Sequence, residues 1–150
     1  LSFDIAGASS EEGAKLALDL IQEFVPCEAA SVARGGLNDT ALQIVAASGP
    51  VGDKICGKRI PFGQGIVGLC FDMAITVQVD DVAHHKSHLS QIDEETGFST
   101  RMTLCVPIRD DMQRMFGVLQ LINPTNEFQD WHIECVETVA RTLSGPLSAA

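Results

Sequence analysis

Two apolar runs, from Leu104 to Ile108 and from Met115 to Ile122, are hydrophobic at both alternating positions. A strand with one wet face would alternate, so these runs predict a β-hairpin whose strands are covered on both sides. Thr96, Thr100, Thr103 and Gln120 are the polar exceptions in and before this stretch. Each is expected to meet a ligand or a buried backbone group, because an unpaired buried polar group costs about 1–3 kcal/mol. The acidic, Gly-containing turn that begins at Ile92 leads into the hairpin, which sets a pocket beside the sheet.

A chain of 150 residues with 45% hydrophobic and 20% charged residues predicts one domain around one sizeable core. The formal charge of −10 disfavours nucleic acid and anionic membranes as partners, since no basic stripe overrides it. The arginines and lysines are scattered. Five cysteines without a CxxC pair indicate neither a disulfide framework nor a zinc knuckle, and predict a reducing, cytoplasmic compartment. No apolar run approaches the ~18 residues of a membrane span, and no basic n-region of a signal peptide is visible. Leu1 in place of Met leads to the expectation that residues 1–150 form a single domain cut from a longer signalling protein.

Ser9 and Glu12 have capping-box spacing, and Ala14, Ala17, Leu18, Ile21 and Phe24 recur at helical intervals until Pro26, which predicts an amphipathic first helix. Cys27 to Ala33 and Ala41 to Ala47 read as two strands joined by a Gly- and Asn-bearing loop. Gly49 to Lys58 reads as a loop, Ile66 to Phe71 as a short helix and Ile75 to Val79 as a strand. Asp130 is placed to cap a last helix with a stripe at Cys135 or Val136, then Val139, Ala140, Leu143 and Leu147, whose tail Pro146 should limit. Hairpins combined with helices on both faces make an α+β sandwich.

Several local patterns have a bland explanation. The run Gly63-Gln64-Gly65-Ile66-Val67-Gly68 lacks the preceding strand, long following helix and distant acid of a dinucleotide fingerprint, so its glycines read as a tight turn packing a short helix. His84 and His88 would share one helix face, but no third ligand is placed by spacing, and a solvated loop with Asp80 and Asp81 is the simpler reading. Asp93, Glu94 and Glu95 are adjacent, so they point apart and form no acid–base dyad; the negatively charged first turn of a short helix suits them better.

In order and spacing, Ile60-Pro61, Gly65-Ile66-Val67-Gly68, Val79-Asp80-Asp81-Val82, Asp93 through Arg101, Leu104-Cys105-Val106-Pro107-Ile108 and Gly117 through Asn123 resemble the GAF domain family of small-molecule sensors. The likeness covers the middle of the chain closely and the rest loosely, and its flavour is that of the phosphodiesterase-type subset. It implies a GAF/PAS-like fold, with a central six-stranded antiparallel sheet and helices on both faces. It also implies a small-molecule effector, with a cyclic nucleotide as the leading ligand, enclosed over one sheet face. By motif position Ile66 and Val67 would contact the effector from the short helix, Asp93, Thr96 and Thr100 from the acidic turn, and Gln120 from the floor. Hydroxyls and an amide can bond a purine edge, and helix-terminal N–H groups favour a phosphate.

The chain departs from that subset at its ion-pair marker. Pro124 stands at the lysine position and His132-Ile133 at the acidic pair, while Asn123 and Phe128 remain. Loss of both partners together strands no buried charge. A second departure is Ala47-Ser48, where that subset tends to offer an aromatic ring and an acid. One branch of the family reduces free methionine sulfoxide with cysteines around the same pocket. It needs a thiolate on the polar turn, and Met73 to Thr103 contains no cysteine. Cys56, Cys70 and Cys105 are therefore expected to be ordinary small core or strand residues, and the chain to be no enzyme. Metal ligation and bilin attachment are not indicated. The resemblance further implies a homodimer through the terminal helices and an adjacent output domain, with a ligand-free dimerisation module as the alternative; the polar, poorly periodic run from Asp80 to Gly97 is expected to form a lid of low local stability.

Overall fold

The computed structural model describes residues 5, 7–36, 38–50, 52–82 and 100–148. Helix α1 (Ser10–Phe24) starts where the Ser9 hydroxyl accepts the Glu12 backbone N–H at 3.3 Å, with Glu11 and Glu12 in the first turn, a favourable end for acidic side chains. Its buried stripe of Ala14, Ala17, Leu18 and Ile21 faces the sheet. Strands β1 (Cys27–Arg34) and β2 (Ala41–Ser48) follow, then α2 (Gly52–Ile55), β3 (Arg59–Pro61), α3 (Gly65–Met73) and β4 (Val77–Val79). After residues 83–99 come β5 (Thr103–Arg109), β6 (Met115–Pro124) and α4 (Asp130–Ser148).

The six strands pair antiparallel in the order β3-β2-β1-β6-β5-β4. The hairpin expected from the two apolar runs is β5–β6, and it is covered on both faces. Leu104, Val106, Leu119 and Leu121 join Ala30 and Val32 against α1 and α4. Their alternate neighbours Cys105 and Val118 join Ala33, Leu42 and Ile44 against α2, α3 and β3. Each large aliphatic side chain buried this way contributes about 1.5–3 kcal/mol, which is why a sheet with two apolar faces needs two helical layers. The hairpin turn is held by Asp110, whose carboxylate accepts the backbone N–H groups of Met112 and Arg114 and the Arg114 Nε. Those bonds, the Arg114 N–H foremost, hold its carboxyl below the ordinary value.

Four expectations need correction. The stretch Gly49 to Lys58 contains a helical turn, α2, whose Ile55 is buried, so an apolar anchor overrides the loop-like composition. The strand expected from Ile75 to Val79 is laddered only at Val77–Val79, since Ala74 adopts a left-handed conformation that turns the chain out of α3. Helix α4 begins at Asp130 itself, and the cap is the ring of His132, whose Nδ1 accepts the Gln129 N–H at 2.8 Å. The same helix runs through Pro146 to Ser148. A proline costs only one carbonyl its partner this near a helix end. The ring is buried against Gly13 of α1, where an added Cβ would lie 2.9 Å from Pro146 Cγ. Arg34 Nε then donates to the Leu147 carbonyl at 2.9 Å, satisfying part of the last turn.

Candidate functional site

The second face of the sheet is not filled to its end. Between it and α3 lies a cavity of about 90 Å³. Strand periodicity builds the floor: Ser31 of β1 opposes Gln120 of β6, which opposes Cys105 of β5, while Thr103 opposes Ile122. Ser31, Gln120, Thr103 and Ile122 therefore turn to the same side and line the cavity. Ile44, Ile55 and Ile60 make an apolar wall. The opposite wall is the start of α3, Gln64 to Val67. Gln64 occupies the N-cap without a side-chain cap bond, so among the described residues the first-turn N–H groups at the cavity receive no side-chain acceptor.

The floor carries an ordered polar chain. Gln120 Nε2 donates to Thr103 Oγ1 at 3.0 Å, and that hydroxyl donates to the Leu121 carbonyl at 3.1 Å. Among the described residues that line the cavity none is charged. Val82 and Thr100, the described residues at either end of segment 83–99, complete the lining.

Of the residues singled out in the sequence, Ile66, Val67, Thr100, Thr103 and Gln120 meet in this one cavity. Asp93 and Thr96 lie outside the described residues, as do His84, His88, Glu94, Glu95 and most of the expected lid. Sequence reasoning passed over Ser31 and Gln64. Ser31 carried a readable signal, a hydroxyl inside the small, apolar run of β1; Gln64 carried none, because its place follows from how α3 docks.

A polar corner anchors the chain where it re-enters the sheet beside Thr100. Asn123, 3% exposed and left-handed at φ 52°, accepts the backbone N–H groups of Arg101 (2.7 Å) and Met102 (3.1 Å) on its Oδ1. Its Nδ2 donates to Glu28 Oε2 at 3.1 Å, and Arg101 lies 3.8 Å from the same carboxylate oxygen. Thr125 N–H donates to the Pro26 carbonyl, and Cys27 N–H to Gln22 of α1. One cavity-lining segment is thereby joined through β6 and β1 to the end of the first helix.

The cysteines divide by position. Cys70 of α3 and Cys105 of β5 are fully buried, and burial pushes the Cys70 thiol up to about 12 despite the opposing pull of Arg109. Burial, with Cys70 nearby, raises the Cys105 thiol well above its ordinary value. Neither supplies a thiolate near neutral pH. Cys56 corrects the expectation of a core residue, since it is exposed at the end of α2. With iodoacetamide at pH 8, Cys56 is expected to alkylate first, and Cys70 and Cys105 only after denaturation; peptide mass mapping showing Cys70 modified early in the folded protein would contradict this.

Among the described residues no helix is long and apolar enough to cross a membrane, and no group of three His, Cys, Asp or Glu is placed to hold a metal ion.

Residues 10–145 match the family model described as GAF domain. The chain is 32% identical over 68 residues to a dual 3',5'-cyclic-AMP and -GMP phosphodiesterase 11A of Takifugu rubripes, covering 45% of this chain and 8% of that protein. It is also 32% identical over 85 residues to a cGMP-specific 3',5'-cyclic phosphodiesterase of Drosophila melanogaster, covering 57% of this chain and 8% of the relative. The matched segment is thus a small part of those proteins. Among solved structures, the GAF domain of a phosphoenolpyruvate-protein phosphotransferase from Coxiella burnetii superposes with a TM-score of 0.84 at 22% identity, over 97% of this chain and 87% of that one. A free methionine-R-sulfoxide reductase from Neisseria meningitidis superposes at 0.77 and 22% identity, over 97% and 82%. At these identities the structures share a fold with the chain.

Proposed function

The chain belongs to the GAF domain family, and from that premise we propose that it is a regulatory sensory domain, a cyclic nucleotide being its leading effector. The observation that carries this reading is the cavity itself, an apolar chamber with hydroxyls and an amide on its floor and an uncapped helix start in its wall. An uncapped helix N-terminus suits a phosphate, and floor amides suit a base edge. The names of the phosphodiesterase relatives support the same ligand class.

A volume of about 90 Å³ is below the ~300–1,000 Å³ of pockets that enclose drug-sized ligands. An intact nucleotide therefore enters by displacing a wall, and that displacement is the signal. Its route out is the corner at Asn123, which joins the Thr100 side of the cavity to α1. Coupling of this kind needs a difference in affinity between two states worth about 1–3 kcal/mol. The buried thiols Cys70 and Cys105 support a non-catalytic role over sulfoxide reduction. The domain works in the cytoplasm as part of a longer signalling protein, as a homodimer joined through α1 and α4; the half-exposed Phe24 and Trp131 on those helices support the dimer, and light scattering checks it.

Thermal unfolding with cyclic GMP and with cyclic AMP tests the ligand. At 100 times its dissociation constant a ligand adds about 2.7 kcal/mol, or roughly 5–10 °C for a domain of this size. An unmoved midpoint with both nucleotides at millimolar concentration would reject the cyclic-nucleotide reading.

A further inference from the structure

We propose that Thr103 is a positioning residue that locks the Gln120 carboxamide with its oxygen unpaired at the cavity floor, so that the effector presents a cyclic amide, N–H beside C=O, to Gln120 and Ser31. This rests on the reading of the cavity as the effector site and goes beyond it by naming the group recognised.

The argument is a count of protons. A threonine hydroxyl has one, and Thr103 is fully buried. Its Oγ1 lies 3.1 Å from the Leu121 carbonyl oxygen, an atom that can only accept, so the proton is committed there. Cys105 Sγ, 4.0 Å away, is a far weaker competitor as acceptor. The hydroxyl oxygen then has only lone pairs to offer Gln120, and the amide atom 3.0 Å away must be a donor. Turning the amide over would set two acceptors against each other. Gln120 Oε1 is therefore fixed on the other side of the group, and no described residue donates to it.

Ser31 opposes Gln120 directly in the ladder and shares its face, with Cβ atoms of such pairs about 4.5–5.5 Å apart. Its hydroxyl likewise has no partner among the described residues. The floor thus offers an acceptor that cannot rotate into a donor, next to a hydroxyl free to donate. A planar cyclic amide complements that pair: its N–H meets Gln120 Oε1, and its carbonyl accepts from Ser31. The surrounding isoleucines exclude water and make a mismatch costly, because an acceptor facing Oε1 would leave both oxygens unpaired.

The test uses side-chain amide NMR on the 150-residue chain, first without ligand. The Gln120 NH₂ group is expected to show two inequivalent protons, one protected from exchange. That protection should vanish in Thr103→Val, which keeps shape and loses the hydroxyl, and survive in Thr103→Ser, which serves if the valine variant does not fold. Next, 2-pyridone, which has one N–H beside one C=O, is compared with N-methyl-2-pyridone as a probe. The parent compound should perturb Gln120 and Ser31 at about tenfold lower concentration than its methylated form, the worth of one hydrogen bond, and Thr103→Val should erase the difference. An unprotected Gln120 amide in the wild-type chain, or protection unchanged in Thr103→Val, overturns the positioning role. Equal titration by both pyridones, or no perturbation at Gln120 by either, overturns the cyclic-amide assignment. Because the first measurement needs no ligand, these results stand apart from whether cyclic nucleotides bind.

Discussion

Replacing Gly117 with alanine is expected to leave little or no cooperatively folded protein. Gly117 opposes Arg34 across the β1–β6 ladder and lies beside the bulge at Phe116, where the register with β5 shifts between Ile108 and Arg109. A Cβ built there would collide with the Ala33 carbonyl oxygen and come within 3.2 Å of Arg34 Cα. Both obstacles are backbone, so no rotamer change relieves them. Relief would require parting the two central strands of the sheet. Overpacking in cores costs about 1–3 kcal/mol where side chains can give way; with backbone on the far side we expect at least about 3 kcal/mol, against a total stability of roughly 5–15 kcal/mol. Gly57→Ala is the control. It also changes a glycine, at φ 91° with nothing within 4 Å of the new Cβ, so it should cost only the left-handed conformation, about 1–2 kcal/mol. Urea unfolding followed by circular dichroism ranks the two, and equal midpoints would contradict the collision.

Asn123→Ala is expected to lose about 3–8 kcal/mol, from two sources that can be separated. Two backbone donors, the N–H groups of Arg101 and Met102, lose their acceptor, at about 1–3 kcal/mol each where water cannot replace it. A left-handed alanine adds about 1–2 kcal/mol. Asn123→Gly removes the side chain but suits φ 52°, so it should recover roughly the second portion and none of the first. If the alanine and glycine variants unfold at the same denaturant concentration, the backbone conformation is not part of the cost. In both variants, amide exchange at Arg101 and Met102 should accelerate. The effect is expected to reach the cavity, since Thr100 precedes the loosened pair.

The elements written in local pattern could be read from the residues: Ser9 and Glu12 at the start of α1, and the two-faced apolar runs of β5 and β6. Gln120 was legible on the pocket floor through its motif position in the family resemblance, and the strand ladder sets it on the face opposite Leu119 and Leu121. What escaped the sequence depends on distant partners. Ile55 turns a Gly-rich stretch into α2 because the sheet offers it a buried seat. Pro146 stays helical because Gly13, 133 positions away by residue number, makes room for its ring. Asn123 was recognisable as a family landmark, but its bonds reach back 21 and 22 residues to Met102 and Arg101, and no periodicity encodes that. The role of Thr103 likewise emerged only with its two oxygen distances, since composition cannot say which atom of an amide faces inward.

The outermost strands β3 and β4 carry three residues each. A neighbouring polypeptide trying to lengthen the β-layer would find a ladder too brief to grip, with Pro61 at the end of one margin offering no N–H. Growth into stacked fibrils is discouraged for the same reason, and the sheet of the described residues stops at six strands instead of templating a seventh.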